Sequence, residues 1–465
     1  MDFYIRRVTI QDLFESKNDY KIDLTEGCNC IYGSNGTGKT TIISLIVSCL
    51  NAEIDRIAKT PFSSILIHLA KSKQSRPIHF LKVTRAFDAS GTTIVYEILD
   101  DQPKIFILSP RSRNNEISND STEALKQRIF EFINLTHVPL LRMHDSELFG
   151  MRDERDEFLH SMLRNRNLSS SQINEILDPS VRVLTSLQKQ FIAEANEARK
   201  TITGKLETLK SKILEKVMID DALAQRAAKT IGSVSRAFNT KVEDVDVSAH
   251  IKKFQDTQIN IPEEKIREHF VTWKKLNDNV RDSYATLEKI REEKKDNEVD
   301  SKKYQLAVER FNTSYFSLLA MTTFNDRFLS ITDDVEKVQI EKLEATKSFR
   351  DYENEVNSYF KPRKTFNINE DGIFSIKSGR RPVELGDLSS GEKHILTILG
   401  KAALSRQEGA VFIADEPELS LHLDWQRMIL PSIISLSPKS QIIVATHSPA
   451  INAKGAREID LEECR

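Results

Sequence analysis

Apolar and polar positions alternate at the start of the chain, at Phe3-Tyr4-Ile5 and Val8-Thr9-Ile10 and again over residues 20–24, before the apolar run 28–32. Alternation of period two marks half-buried strands, and a short apolar run ahead of glycines marks a buried one. The glycine-rich stretch that follows predicts a loop, with a helix from Gly38. Three β-rich runs, 78–87, 92–99 and 104–108, are separated by turn-like residues, of which Asp88-Ala89-Ser90-Gly91 are the clearest. They predict an antiparallel meander appended to the core sheet. A helix over 121–135 and a short strand over 137–142 close this region.

After about residue 165 the pattern changes: glycine becomes scarce and Lys, Glu, Arg and Asp become dense. Apolar residues recur at Leu184, Leu187, Phe191, Ala195, Ala198, Ile202, Leu206, Leu209, Ile213 and Val217, a spacing of three, four, four repeated three times. At about 3.67 residues per turn this eleven-residue period keeps a stripe on one face of a nearly straight or slightly right-handed helix. The same spacing also fits an ordinary amphipathic helix. Either way the stripe needs an apolar partner. Candidates are Ile266, Phe270, Trp273, Leu276, Val280, Tyr284 and Leu287, and beyond Asp300 the set Val308, Phe311, Tyr315 and Leu318. A helix of about 38 residues spans roughly 57 Å, which predicts an antiparallel helical arm with residues 218–262 as its tip. From Lys364 strand patterns return.

Composition narrows the class. The chain has 465 residues, 39% of them hydrophobic, enough for two or three domains with a sizeable core. Its 67 basic and 69 acidic residues leave a formal net charge of -2, so no global field draws it to nucleic acid and any basic surface is local. Four cysteines cannot form a disulfide framework in so long a chain, and Cys28-x-Cys30 lacks the second pair a zinc site needs. They read as packing residues of a reduced, cytoplasmic protein. The longest apolar runs, such as 41–50, fall short of a membrane span.

Chemistry concentrates in four strings. Gly33-Ser34-Asn35-Gly36-Thr37-Gly38-Lys39-Thr40, followed by Thr41, fits G-x-x-x-x-G-K-T between an apolar strand and a helix. In such a loop main-chain N–H groups wrap phosphates, Lys39 reaches the β and γ phosphates and Thr40 ligands Mg²⁺. The run 410–414 ends in Asp415-Glu416-Pro417, which reads as a buried strand with two carboxylates at its tip. Asp415 suits Mg²⁺, and Glu416 suits the attacking water, since phosphoryl transfer asks for positioning of a nucleophile. Another apolar strand, 441–446, delivers His447-Ser448-Pro449 to the same edge. Ser389 and Glu392 have the spacing of a capping box, which would present Ser390 and Gly391 at a helix start able to clasp a phosphate. Taken singly, these strings also describe a glycine turn, a turn start, a structural histidine and a capped helix with no ligand.

In this order they resemble the ABC-type ATPases. Residues 33–40 look like the Walker A motif, 388–392 like the signature, Asp415-Glu416 like the Walker B pair, Ser420-Leu421-His422 like the D-loop and His447 like the switch histidine. The resemblance implies ATP and Mg²⁺, catalytic roles for Glu416 and His447, and a head-to-tail pair of copies in which Ser389, Ser390, Gly391 and Glu392 of one complete the nucleotide site of the other. Transporter motors carry glycine where this chain has Ser390. The wording Asp-Glu-Pro-Glu-Leu-Ser-Leu-His with Thr-His-Ser-Pro is closer to the OLD, RecF and SMC-like branch (AAA15 and AAA21). A Q-loop glutamine is missing from its usual place, where Arg142 and His144 stand.

About 350 residues separate the Walker A and signature strings. By resemblance this implies an α/β fold: a split ABC ATPase head of two lobes with an inserted antiparallel helical coiled-coil arm, divided as 1–165, 166–362 and 363–465. OLD nucleases carry a Toprim domain after the switch histidine, whereas 18 residues follow His447 here, so none is expected. The layout is most similar to the AriA-type ATPases of PARIS anti-phage systems, with the PtuA-type ATPases of Septu systems next. That resemblance implies a higher homo-oligomer holding a separate nuclease effector, Toprim-type in PARIS and HNH-type in Septu, and releasing it on a phage-encoded trigger such as a DNA-mimic protein. The competing expectation is a RecF or SMC-like repair ATPase gripping duplex DNA through Arg199, Lys200, Lys205, Lys210, Lys212 and Lys216, a run that also reads as a solvated helix face.

Overall fold

A computed structural model describes residues 3–15, 19–34, 36–71, 78–88, 91–98, 104–108, 117–139, 178–217, 246–255, 261–296, 301–406 and 409–465. It divides into two compact units, Met1–Ala195 with Lys347–Arg465, and Asn196–Thr346. In chain order the elements are β1 (Phe3–Gln11), β2 (Tyr20–Asp23), β3 (Cys28–Tyr32), α1 (Lys39–Leu50), α2 (Ile54–Lys59), β4 (Ser64–Lys71), β5 (Ile78–Asp88), β6 (Gly91–Ile98), β7 (Lys104–Leu108), α3 (Ile117–Phe130) and β8 (Asn134–Val138). Four helices follow, α4 (Pro179–Val217), α5 (Val247–Gln255), α6 (Glu263–Asp296) and α7 (Ser301–Phe360). The chain then returns through β9 (Thr365–Ile368), β10 (Phe374–Ser378), β11 (Arg381–Val383), α8 (Ser390–Leu404), β12 (Ala410–Asp415), α9 (Leu423–Leu436), β13 (Gln441–Ala445) and β14 (Arg457–Asp460).

In the first unit β14, β3, β13, β12 and β8 form one parallel sheet, so strands from both sides of the long helices share it. A parallel sheet is covered on both faces, which is why its strands are apolar at successive positions rather than at alternate ones. Every residue of β12 and β13 is buried. Ile31, Val411, Ile413 and Ile443 enter a core shared with α1, while Cys30, Phe412, Ala414, Ile442 and Val444 enter one shared with α8 and α9. That second core also takes the start of α4 and the end of α7: Phe191 stacks on Tyr352 with ring centres 5.0 Å apart, and the Tyr352 hydroxyl donates to the Leu396 carbonyl at 2.8 Å.

The expected meander lies elsewhere. Strands β5, β6 and β7 continue a separate antiparallel sheet, ordered β2-β1-β4-β5-β6-β7, instead of extending the parallel one. The physical reason is β4, which the periodicity left unread and which pairs with β1 on one side and β5 on the other. The strand expected over 137–142 spans Asn134–Val138, and the helix expected over 121–135 spans Ile117–Phe130. One buried side chain joins the two sheets. Gln441, at the start of β13, accepts from the Ile5 N–H at 2.9 Å and donates to the carbonyls of Ile5 at 2.8 Å and Thr25 at 2.7 Å.

Along α4 the apolar stripe from Leu184 to Ile213 is buried or half-buried at each of its positions. In the second unit Leu209 of α4 shares a core with Ile251 and Phe254 of α5, Ile266 and Phe270 of α6 and Val335 of α7. Ion pairs join Lys205 to Glu341 at 2.6 Å and Lys253 to Glu336 at 2.7 Å. Among the described residues no helix is long and apolar enough to cross a membrane.

Replacing Gln441 with Leu keeps most of its volume but strands one N–H and two carbonyls in the interior. An unpaired buried polar group costs about 1–3 kcal/mol, so Gln441→Leu is expected to destabilise the first unit by about 2–4 kcal/mol. A lowered urea midpoint with an unchanged slope checks this; an unaltered midpoint refutes it.

Candidate active site

The register of the parallel sheet fixes the site. Ile31 of β3 lies beside Ala445 of β13, which lies beside Asp415 of β12, so the segments that leave these strands emerge along one edge. Main-chain bonds continue the alignment past the strand ends, from Glu416 N to the Ala445 carbonyl at 2.8 Å and from Thr446 N to the Ile31 carbonyl at 3.1 Å.

Beyond β3, residues 33–34 and 36–38 lead into α1. Gly36 and Gly38 have φ of 84° and 92°, a left-handed backbone that side chains resist. A Cβ on Gly38 would also stand 3.0 Å from the ring of Phe14. Thr37 closes the turn through its hydroxyl to the Ser34 carbonyl at 2.9 Å. Thr40 and Thr41 open α1, whose first N–H groups have no helical partner and favour an anion. Asn35 lies outside the described residues. Lys39 is only 4% exposed and sets its ammonium on the carbonyls of Gly33 at 2.6 Å and Ser34 at 3.0 Å. Burial lowers its pKa against the opposing pull of Glu416, Asp415 and Glu418.

Lys39, His447 and Glu416 stand in a row. Lys39 Nζ is 3.1 Å from His447 Nδ1, and His447 Nε2 is 3.5 Å from Glu416 Oε1. A charged Lys39 can only donate, which makes Nδ1 the acceptor and puts the ring proton on Nε2, facing Glu416. Glu416 holds a φ of 46°, an uncommon conformation for a side-chain-bearing residue, so its aim is set by the turn and not by local preference. Asp415 is buried beside it. Burial, reinforced by Glu416 and Glu418 and opposed by Thr40 and Lys39, pushes its pKa up to about 6.

Ser389 caps α8 with the predicted reciprocal geometry. Its hydroxyl accepts from Glu392 N at 3.3 Å, and its own N–H donates to Glu392 Oε2 at 2.8 Å. Ser390 is half-buried at the first helical position. Glu392 also holds Lys364 at 2.8 Å, and the neighbouring Lys393 holds Asp178 at 2.7 Å. Gly391 faces the turn after β12, where a Cβ would come within 2.9 Å of the Ser420 carbonyl. Ser420, too, is left-handed, at φ 63°. The structure thus gathers Lys39, Thr40, Asp415, Glu416 and His447 at one edge, while the contacts of residues 389–392 run to Lys364 and Ser420. Arg142 and His144 lie outside the described residues.

Residues 4–451 match the AAA ATPase domain family AAA_15. The chain belongs to this family. Membership makes it an ATPase-domain protein and implies nucleotide binding, usually with Mg²⁺. No curated protein matches the chain. Among solved structures it is similar to the Smc head domain of Pyrococcus furiosus with an extended coiled coil, bound to the C-terminal domain of ScpA, at 12% identity over 97% of this chain and 91% of that one, with a TM-score of 0.37. The Smc head with coiled coil and joint from Pyrococcus yayanosii gives 14% identity over 97% and 93%, with a TM-score of 0.35. At these scores the likeness decides nothing about this chain.

The residues fit the group the family implies. Asp415 Oδ1 is buried and has no hydrogen-bond partner among the described residues. Thr40 is near enough to favour the charged form of the same carboxyl, and the two offer an oxygen-only donor set suited to a hard divalent cation. The left-handed glycines and the start of α1 suit the phosphates. Sequence reasoning missed two parts of this edge, Phe14 against Gly38 and Glu418 beside the segment bearing His447, and also the ion pairs of Asp178 and Lys364 with the start of α8. Only Glu418 carried a signal, as the third acid of Asp415-Glu416-Pro417-Glu418.

Burial works against the charge on Asp178 and Glu392, but their partners outweigh it. Lys393 and Ser180 lower the Asp178 pKa, and Lys364 and Ser389 lower that of Glu392. A carboxyl depressed in the folded state contributes stability above its unfolded pKa and loses it as pH falls through the folded value. Asp178→Asn and Glu392→Gln should therefore each lower the denaturant midpoint at neutral pH. The gap from the wild type should close below the ordinary values of 3.8 and 4.5; a gap that persists there contradicts the ionic account. Loss of the Ser389 cap in Ser389→Ala should cost about 1 kcal/mol, read by the same measurement.

Proposed function

We propose that this chain is an ATP-hydrolysing sensor and scaffold of a bacterial anti-phage system, whose nucleotide state governs the hold on a separate nuclease effector. The observation that carries the enzymatic part is the row of Lys39, His447 and Glu416 beside the buried Asp415, at the end of one parallel sheet. In this reading Lys39 gives its N–H donors to the β and γ phosphates in exchange for the loop carbonyls. Glu416 orients a water and takes its proton as the water oxygen bonds to the γ phosphorus and the bond to the ADP oxygen breaks. His447 holds Glu416 from the other side through Nε2. Thr40 and Asp415 would hold Mg²⁺, which supplies neutralisation of phosphate charge when bound.

The turn 389–392 belongs, in this proposal, to the neighbouring copy's triphosphate, clasped by the Ser390 hydroxyl and the start of α8. The chain then reads as two lobes, 1–165 and 363–465, with residues 166–362 as an antiparallel coiled-coil arm. Supporting the arm, Lys205 pairs with Glu341 and Leu209 shares a core with Val335, positions that run in opposite directions along α4 and α7. Supporting the effector role is the resemblance of motif wording and layout to the PARIS and Septu ATPases.

Lys39→Ala is expected to abolish ATP binding, because the phosphates lose their main counter-charge. Glu416→Gln should bind ATP, hydrolyse it at least about 100-fold more slowly and accumulate the multi-copy form in light scattering; normal turnover removes Glu416 from its role. The purified chain should hold the nuclease encoded beside it in its own genome, and fail to hold it when ATP state is changed. Absence of any such complex ends the scaffold reading, and steeply salt-dependent stimulation by duplex DNA replaces it with a repair ATPase.

A further inference from the structure

Glu418 lies on the turn between β12 and α9, two residues after Glu416 and two before Ser420, and is 8% exposed. Its Oε1 accepts three hydrogen bonds, all from the segment that leaves β13: Thr446 Oγ1 at 2.5 Å, His447 N at 3.1 Å and Ser448 N at 3.2 Å. Its Oε2 is buried without a hydrogen-bond partner among the described residues. A buried carboxylate with one oxygen triply held and the other bare is an expensive arrangement for a protein interior. Such a group calls for a reason beyond packing.

Its place supplies one. The main chain of His447 cannot leave the β12 turn without breaking the bonds to Glu418, and that main chain sets the imidazole between Lys39 and Glu416. Gln426 repeats the tie one step further on, donating to the Leu421 carbonyl at 3.0 Å and accepting from Ser448 Oγ at 3.0 Å. On the other side of the turn His394 of α8 donates to the Pro417 carbonyl at 2.8 Å, and burial keeps that ring's pKa low. The turns at 416–421 and 446–448 therefore form one block, with Glu418 as its innermost link.

We propose that Glu418 is a positioning residue for ATP hydrolysis, acting through His447 by fixing the main chain that carries it. Its part is to hold main chain in place. This inference rests on the enzymatic reading of Glu416 and His447 above and adds a residue to it.

The test uses the full chain, with steady-state ATP hydrolysis and equilibrium binding of a fluorescent ATP analogue. Wild type, His447→Ala, Glu418→Ala, Glu418→Gln and the double variant Glu418→Ala with His447→Ala are compared. Glu418→Ala and His447→Ala should each lower kcat by about 10–100-fold, with KM and analogue affinity within about two-fold. The double variant should be no slower than His447→Ala by more than about two-fold, since one residue acts through the other. Glu418→Gln keeps an oxygen in place for the three donors and should recover most of kcat. The proposal is overturned by wild-type kcat in Glu418→Ala, or by a double variant whose loss is the product of the two single losses. Should Glu418→Ala not fold, Thr446→Val takes its place, with the same expected and overturning results. A wild-type chain that turns over no ATP overturns the reading of the site, and this inference with it.

Discussion

Alignment of three parallel strands is the constraint on which the rest depends. Ile31, Ala445 and Asp415 are neighbours across the sheet, so a glycine loop near the start of the sequence and two acids and a histidine near its end leave it side by side. A slip of one residue in any strand would exchange its buried faces, which the two separate cores forbid: Val411 and Ile413 fill one, Phe412 and Ala414 the other. Packing specificity on both sides of the sheet thus becomes positional precision at its edge. The hydrogen bonds of Glu418 to residues 446–448 then hold the segments that leave the sheet in that alignment.

Much of this was legible from local pattern. The run into the glycine loop gave β3 with its observed ends, the Ser389 to Glu392 spacing gave the reciprocal cap, and the three-four-four stripe gave the buried face of α4. Each of these depends on neighbours within a few residues. What stayed hidden depends on pairing between distant segments. Nothing in the sequence of β5, β6 and β7 says that β1 and β4 continue their sheet. Glu418 looks like one more acid after a Walker B pair until the main-chain N–H groups of residues 447 and 448 are seen to converge on it. The motifs suggested a chemistry, while the contacts that tie their segments together came from topology.

The site is a concentration of unfavourable choices. Glu416 and Ser420 adopt left-handed backbone, Asp415 is pushed toward neutrality by burial, and oxygens of Asp415 and Glu418 lack hydrogen-bond partners among the described residues. Each arrangement costs on the order of 1–3 kcal/mol on its own. They persist because β12 and β13, wholly buried, over-determine the turns that follow them. Local misfit of this kind, held in place by a well-packed core, is what the proposed catalytic reading of this edge calls for.

The two ion pairs on α8 carry a consequence for how this chain can change length. Asp178, immediately before α4, and Lys364, four residues after α7, grip the consecutive residues Lys393 and Glu392. The excursion of 185 residues between them therefore departs and returns at adjacent rungs of one helix. With both ends pinned there, a change of length in between does not have to move either point of attachment.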